Sequence, residues 1–168
     1  LLQMKNIAHS SGFSQMAVNS GSVRNTGMEF SLDALPYKDR HFLWQIGGNI
    51  GFNKNKITST GAEGESGEIY LSKDQKVTAR YFVGDKLSSM ATEPLNIFIE
   101  GQPMGLFYGY LVEGVNNVGE TSPFLDGTTR GEGYLRYADL NNDGKITSVD
   151  RTIIGSPLPK FTYGFNTS

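Results

Sequence analysis

The sequence predicts an all-β fold of long antiparallel strands, and three observations lead to this class. Glycine occupies 21 of 168 positions, against an average usage of about 7%, and aromatic residues make up 11%, which favours strands and turns. Two runs alternate apolar and polar residues on either side of a turn. Every apolar stretch is shorter than the ~20 residues that a membrane-spanning helix requires. Strands, not helices, are therefore expected to form the fold.

The two alternating runs are the clearest strands. Each places apolar side chains on one face and polar side chains on the other. The apolar faces comprise Met28, Phe30, Leu32 and Ala34 in the first run and Phe42, Trp44, Ile46, Ile50 and Phe52 in the second. Residues 36–40 lie between the runs and have turn chemistry, so the pair is predicted to be an antiparallel hairpin. A third run, residues 161–165, continues almost to the last residue, and we expect the chain to be an internal piece of a longer protein.

The predicted strands are unusually long. They extend over ~10 residues, the length that crosses a bilayer at a tilt, whereas soluble sheets commonly have strands of about 5–6 residues. Their polar faces carry mainly Gly, Asn, Gln and Ser, which suit a crowded, wet barrel lumen. Periodicity alone leaves two alternatives open, a transmembrane barrel segment and a long hairpin of a soluble β-sandwich.

About a hundred residues, 58–158, separate these strands from the third run. This length is far beyond the ~12–15 residues of an ordinary connection, so the segment must carry structure of its own. Its strand candidates are residues 68–71, 77–83 and 106–112. We interpret it as a large elaborated loop or small subdomain, because its many aromatic residues would otherwise be exposed.

Residues 139–150 (DLNNDGKITSVD) have the spacing of a calcium-binding loop. Oxygen-bearing side chains fall at loop positions 1, 3, 5, 9 and 12, and glycine falls at position 6. The predicted ligands are Asp139, Asn141, Asp143, the carbonyl of Lys145, Thr147 and Asp150. Aspartate at the last position and poor helix formers before the loop make it more similar to dockerin-type loops than to an EF-hand sensor. We expect a structural Ca²⁺ ion, and the alternative is an Asx-rich turn without metal.

Two further groups of residues are candidate sites. Phe107, Tyr108 and Tyr110 are candidates for stacking against a sugar substrate, and the alternative is a satellite hydrophobic cluster under a long loop. His9 and His41 have no acidic or nucleophilic partner nearby in the sequence, so we expect surface or interface positions for both.

The sequence predicts no enzyme and no catalytic residue. Glu29 and Asp33 share a strand face about 13 Å apart at ~3.3 Å per residue, too far for a glycosidase pair. They are expected to be lumen-facing carboxylates of a barrel. The chain has 15 basic and 17 acidic residues and no cysteine, which argues against nucleic-acid binding and excludes thiol chemistry.

Several phrases, in this order along nearly the whole chain, resemble one family. They are residues 21–30 (GSVRNTGMEF), 49–57 (NIGFNKNKI), 100–110 (EGQPMGLFYGY), 139–147 (DLNNDGKIT) and 154–161 (IGSPLPKF). Together they are similar to the SusC/RagA-like TonB-dependent outer-membrane transporters of Bacteroidetes.

The resemblance implies an antiparallel transmembrane β-barrel segment with a large extracellular loop region that contains the dockerin-like calcium loop. Residues 1–57 are then barrel strands with a periplasmic turn at 36–40, residues 58–158 are extracellular, and residues 159–168 begin the next barrel strand. The residues that would face outer-membrane lipid are Met28, Phe30, Leu32, Trp44, Ile46, Ile50, Phe161, Tyr163 and Phe165.

The resemblance also implies a function and partners. Such a transporter lies in the bacterial outer membrane and imports glycans or peptides together with a SusD-like surface lipoprotein. TonB drives it through an N-terminal part that this sequence lacks. The rival hypothesis is a soluble calcium-stapled β module that binds carbohydrate or a protein partner.

Overall fold

A computed structural model describes residues 2–6, 12–13, 15–19, 21–61, 64–84 and 93–168. In this part of the chain almost all regular structure is β. The strands are β1 (Leu2–Asn6), β2 (Gln15–Asn19), β3 (Ser22–Lys38), β4 (Leu43–Ser59), β5 (Glu65–Ser72), β6 (Gln75–Val83), β7 (Asn96–Ile99), β8 (Leu106–Tyr110), β9 (Val112–Val115), β10 (Ser122–Pro123), β11 (Thr129–Arg130), β12 (Leu135–Tyr137), β13 (Arg151–Gly155) and β14 (Phe161–Thr167). A 3₁₀ helix, Ser148–Asp150, precedes β13. No helix among the described residues is long and apolar enough to cross a membrane.

A three-stranded antiparallel sheet contains the predicted hairpin. Its strand order is β14-β4-β3, so β4 is the central strand and has a partner on each edge. β3 and β4 are each 17 residues long, longer than the alternating runs alone indicate. The extra length lies in the polar stretches where no apolar residues alternate. A separate antiparallel pair, β1-β2, precedes this sheet.

The turn of the hairpin lies further along the chain than predicted. The sequence places it at residues 36–40, but β3 continues to Lys38 and the turn closes with a hydrogen bond from the Asp39 amide to the Phe42 carbonyl, 2.7 Å long. Pro36 lies inside β3, where the register with β4 shifts between Ala34 and Tyr37. Proline is tolerated there because the strand pairing is irregular at this position and does not require the N–H group that proline lacks.

Strands β13-β5-β6-β7-β8 form a small closed barrel within the long connection. Its core consists of Ile69, Ile97, Ile99 and Leu106, all less than 5% exposed. The barrel closes through β13, which pairs antiparallel with β8 and parallel with β5. Strands β5, β6 and β8 contain the predicted candidates 68–71, 77–83 and the first part of 106–112. The pairs β9-β12 and β10-β11 lie in the chain between β8 and β13.

A short hydrogen-bonded joint connects the sheet to the small barrel. Beyond the start of β14, the edge of β4 is completed by the connection after β7: the Ile57 amide donates to the Gln102 carbonyl, and the Gly101 amide donates to the Ile57 carbonyl, each 2.9 Å. Buried Thr60 donates its amide and its hydroxyl to the Glu100 carboxylate at 2.8 and 2.9 Å. The two bodies are therefore fixed to each other by backbone as well as side-chain contacts.

Candidate membrane-facing sheet and calcium loop

One face of the three-stranded sheet is apolar and exposed. Residues directly opposite each other on paired strands have side chains on the same face. In the observed register Phe30 and Tyr163 lie on either side of Ile50, and Leu32 and Phe165 lie on either side of Gly48. Leu32, Tyr163 and Phe165 are 75%, 78% and 73% exposed. Met28, Phe30, Trp44 and Phe161 are also exposed, and Ile46 and Ile50 are half-buried. None of the residues predicted to face lipid is enclosed in a core.

The opposite face is polar and closely packed. Asp33 and Asn166 both lie opposite Gly47, and a Cβ atom at that glycine would come within 2.5 Å of the Oδ1 atom of each. Gly164 repeats the arrangement, because a Cβ there would lie 2.5 Å from Oδ1 of Asn49. Glycines on one strand thus make room for polar side chains on the next. Glu29 and Asp33 both lie on this polar face, as the strand period predicts.

Aromatic side chains mark both ends of the apolar face. At the hairpin end the Tyr37 and Phe42 rings lie 5.8 Å apart, and the Trp44 indole N–H donates to the Thr167 hydroxyl at 2.9 Å. At the other end the Phe52 and Phe161 rings lie 6.4 Å apart. The stretch from Trp44 to Phe52 has the ~9–11-residue length of a tilted transmembrane strand, and aromatic girdles at both interfaces are typical of such strands.

Residues 139–150 form a tight turn organised by their acidic side chains. The Asp143 amide donates to Oδ1 of Asp139 and of Asn141, at 3.2 and 3.0 Å, and the Gly144 amide donates to Oδ2 of Asp139 at 2.7 Å. Gly144 adopts φ +80°, which favours glycine. The Lys145 amide donates to Oδ1 of Asp143 at 2.8 Å. The first three predicted ligand side chains are therefore brought together around one turn.

Asp150 has a different environment from the first three. It is completely buried, and its Oδ1 atom accepts the amides of Leu140 and Asn141 at 3.0 and 3.4 Å. Its Oδ2 atom accepts the Thr147 amide at 2.8 Å and the Thr147 hydroxyl at 3.2 Å. Both oxygens thus serve as hydrogen-bond acceptors within the protein. Among the described residues, no group of three or more His, Cys, Asp or Glu side chains is placed to hold a metal ion.

Arg151, the residue after Asp150, ties the loop to the small barrel. Its guanidinium lies 4.3 Å from the centre of the Tyr108 ring and donates to the Tyr108 carbonyl at 2.8 Å. The same group forms a 3.0 Å ion pair with Glu93. Thr152 then donates its hydroxyl to the Tyr70 carbonyl at 3.0 Å. The conformation of the loop therefore determines where the closing strand β13 begins.

The three aromatic residues proposed for substrate stacking lie on β8 but not on one surface. Tyr108 packs against the barrel core, and this burial raises the pKa of its hydroxyl. Tyr110 points to the same side of the strand and meets the Tyr137 ring at 6.0 Å. Phe107 lies on the other side of the strand, where it contacts Gly155. This placement favours the hydrophobic-cluster interpretation, and contact with a substrate stays a prediction.

Sequence reasoning missed two features. Nothing in the sequence marks Glu100 as the partner of Thr60, because 40 positions separate them. Hydrogen bonds from the Thr60 amide and then from its hydroxyl hold the pKa of the Glu100 carboxyl below its ordinary value. The second feature is the pair of basic residues beyond Phe52 on β4, Lys54 and Lys56, to which the sequence patterns assign no role.

Of the two histidines, His41 is exposed at the hairpin turn, and His9 lies outside the described residues.

The chain is similar to curated outer-membrane receptors over most of its length, although no family model matches it. It is 33% identical over 159 residues to TonB-dependent receptor P3 of Formosa agariphila, covering 93% of this chain. It is 38% identical over 144 residues to TonB-dependent receptor SusC of Bacteroides thetaiotaomicron, covering 85% of this chain. The chain spans 12% to 14% of the length of these relatives.

Solved structures show the same fold. The RagAB peptide transporter matches 95% of this chain and 15% of its own, with a TM-score of 0.52 and 20% identity. The RagAB peptide importer in its open-open state matches 100% of this chain and 15% of its own, with a TM-score of 0.57 and 19% identity.

The exposed apolar face, the crowded polar face and these relatives together define a segment of a TonB-dependent outer-membrane receptor. Within that class, the chain belongs to the SusC/RagA-like transporters. The resemblance stated from sequence phrases is therefore confirmed, as are the all-β class and the location in the bacterial outer membrane. The relatives are named as receptors and transporters, in keeping with a chain for which the sequence predicts no catalytic residue.

Proposed function

We propose that this chain supplies part of the barrel wall and an extracellular subdomain of an importer that takes up glycans or peptides with a SusD-like surface lipoprotein. The observation that carries the proposal is the sheet with one exposed apolar face and one packed polar face. In a soluble calcium-stapled module, the rival hypothesis, the apolar face would need a covering layer. Residues 58–158 would then lie outside the cell, and TonB would drive transport through other parts of the protein.

The orientation is tested with epitope tags in the full-length transporter. One tag follows Gly127, an exposed turn position with open space around it, and its matched control follows Arg40 in the hairpin turn. Antibody should bind the Gly127 tag on intact cells, and should bind the Arg40 tag only after the outer membrane is permeabilised. Binding of the Arg40 tag alone on intact cells would reverse the orientation.

Transport and partnership are tested in the same strain. Uptake of labelled oligosaccharides and of labelled peptides is measured with TonB present or deleted, and with the proposed SusD-like lipoprotein present or deleted. We expect one cargo class to depend on TonB, and the lipoprotein to co-purify with the tagged transporter. Uptake of both cargo classes that is unchanged without TonB would reject the importer function.

We also propose that the loop at 139–150 holds a structural Ca²⁺ ion. Asp139, Asn141 and Asp143, which already converge on one turn, would hold it together with the Lys145 carbonyl and Thr147. Asp150 would join them only if its carboxylate gave up one of its present hydrogen bonds. The ion would add stability to the long connection, and millimolar calcium outside the cell is sufficient even for a weak site.

The calcium proposal predicts a metal-dependent change in protease resistance. Asp139→Ala and Asp143→Ala should each lower the resistance of the long connection in calcium, without preventing insertion into the membrane. Asp74→Ala, in the exposed turn between β5 and β6, is the control and should behave as the parent. Equal resistance of the parent protein in calcium and in chelator would reject a metal role and favour the Asx-rich turn.

A further inference from the structure

An apolar groove lies at the end of the sheet furthest from the hairpin turn. Its volume is ≈ 620 Å³, within the range of about 300–1,000 Å³ that is usual for small-molecule sites. Met28, Phe52, Pro103, Leu158 and Pro159 supply its apolar lining. It forms where β14 begins beside β4 and where the connection after β7 takes over pairing with the rest of β4.

The groove is continuous with the exposed apolar face of the sheet. Met28 and Phe52, which face each other across β3 and β4, belong to both. Because the central strand β4 is paired on both edges within this chain, further barrel strands would add outside β3 and β14 and would leave the groove open. Its occupant is therefore something that approaches from the side of the membrane.

Two basic side chains line the groove, and two more lie on the strands just beyond it. Lys54 and Lys160 line it, and Lys54 follows Phe52 by two residues, or about 7 Å along the strand, on the same face. One pair further on, Arg24 lies directly opposite Lys56. Like charges in opposed positions destabilise a sheet unless an anion offsets them. Among the described residues, none of these four side chains forms an ion pair.

We propose that the groove binds an acyl chain of a phosphorylated outer-leaflet lipid of the lipid A type, and that Lys54 and Lys160 bind its phosphate. The apolar lining matches the acyl chain, and the basic residues stand where the apolar band ends and lipid headgroups begin. This inference rests on the proposed orientation, since lipid A lies only in the outer leaflet. Phosphate on the lysines also relieves the repulsion between Arg24 and Lys56 beside them.

The test is native mass spectrometry of the purified full-length transporter titrated with lipid A. We expect one retained lipid A molecule, bound at least about tenfold more weakly by the double variant Lys54→Gln/Lys160→Gln. Lys38→Gln/Arg40→Gln, which removes two exposed basic side chains near the hairpin turn, is the charge-matched control and should bind as the parent. Leu158→Trp fills the groove without changing its charge and should weaken binding of lipid A.

Parallel titrations distinguish the occupants. Phosphatidylethanolamine, whose phosphate is neutralised by its own ammonium group, tests the need for a net negative headgroup, and inorganic phosphate tests the need for acyl chains. Lipid A affinity unchanged in both the double variant and Leu158→Trp would overturn the proposal, as would equally tight binding of phosphatidylethanolamine or of phosphate alone. Antibody labelling of the Gly127 tag on the same variants distinguishes failure of the lipid site from failure of the proposed orientation. If the tag is labelled on intact cells and the variants bind lipid A as the parent does, only the lipid site is rejected.

Discussion

Gly27 shows how single residues permit the close approach of β3 and β4. A Cβ atom at this position would lie 2.6 Å from the backbone carbonyl oxygen of Phe52, on the neighbouring strand. A side chain can rotate away from such a contact, but a carbonyl in a paired strand cannot move without shifting the strand.

Gly27→Ala is therefore expected to destabilise the sheet by about 1–3 kcal/mol, the usual cost of overpacking. Gly48→Ala is the matched control, because the nearest atom to a Cβ there is 3.6 Å away. The measurement is the thermal midpoint of the full-length transporter by circular dichroism. A Gly27→Ala midpoint equal to that of Gly48→Ala would contradict the packing described for this pair of strands.

Glu100 gives the joint between the sheet and the small barrel a pH dependence. Its carboxylate accepts two hydrogen bonds from Thr60, which lower its pKa below the ordinary 4.5. Because the folded state favours the ionised form, the contribution is complete above the ordinary pKa. It is lost as pH falls through the lowered pKa.

Hydrogen exchange at the Thr60 amide measures this contribution. At neutral pH, Glu100→Gln should lower the protection of that amide by roughly tenfold, since a bond to a charged acceptor is stronger than one to a neutral acceptor. The difference from the parent should close under acid conditions. Glu65→Gln, exposed at the start of β5, is the control. A difference that persists unchanged in acid would show that the charge of Glu100 is not the cause.

At the scale of elements, Asp150 connects the calcium-type loop to the closing strand of the small barrel. The spacing of residues 139–150 is equally compatible with Asp150 as a metal ligand and with Asp150 as a carboxylate that accepts hydrogen bonds from backbone amides. The structure shows the capping bonds: the buried Leu140 amide requires an acceptor, and Asp150 accepts it together with the Thr147 amide. The spacing of its oxygen-bearing residues therefore identifies the loop from the sequence, but it does not predict the hydrogen bonds of Asp150.

Asp150→Ala should lower the stability of the small barrel by about 3 kcal/mol, since it leaves the buried amide of Leu140 and the partly buried amides of Asn141 and Thr147 without their acceptor. The loss should be the same in calcium and in chelator, unlike that of Asp139→Ala. Limited proteolysis between β12 and β13 is the measurement. Full resistance of Asp150→Ala to protease would mean that the loop does not position β13.

The other elements show where sequence patterns succeed and fail. Alternation identified β3, β4 and β14 because one face of each is uniformly apolar. It underestimated their length because residues 22–27 and 53–59 are mostly polar. Pro36 suggests a turn, but it lies within β3, where a shift in register accommodates it. Closure of the small barrel by β13 joins residues about 80 positions apart, which no local pattern records.

At the scale of the whole molecule, two bodies of opposite character are joined at Thr60 and Glu100. The sheet exposes its apolar residues, whereas the small barrel buries Ile69, Ile97 and Ile99 as a water-soluble protein does. This contrast within 168 residues is expected of a chain that passes from lipid to water. The central consequence of this contrast is that successive side chains on β3 contact lipid and water in turn.

Single cysteines placed in turn at positions 28–33 of the full-length transporter test this consequence most directly, because this segment has no cysteine of its own. Each is labelled with a fluorophore in membranes and then exposed to a lipid-confined quencher or a water-soluble quencher. This arrangement predicts that positions 28, 30 and 32 respond to the lipid quencher and positions 29, 31 and 33 to the aqueous one. The same response at all six positions, or the reverse alternation, would contradict it.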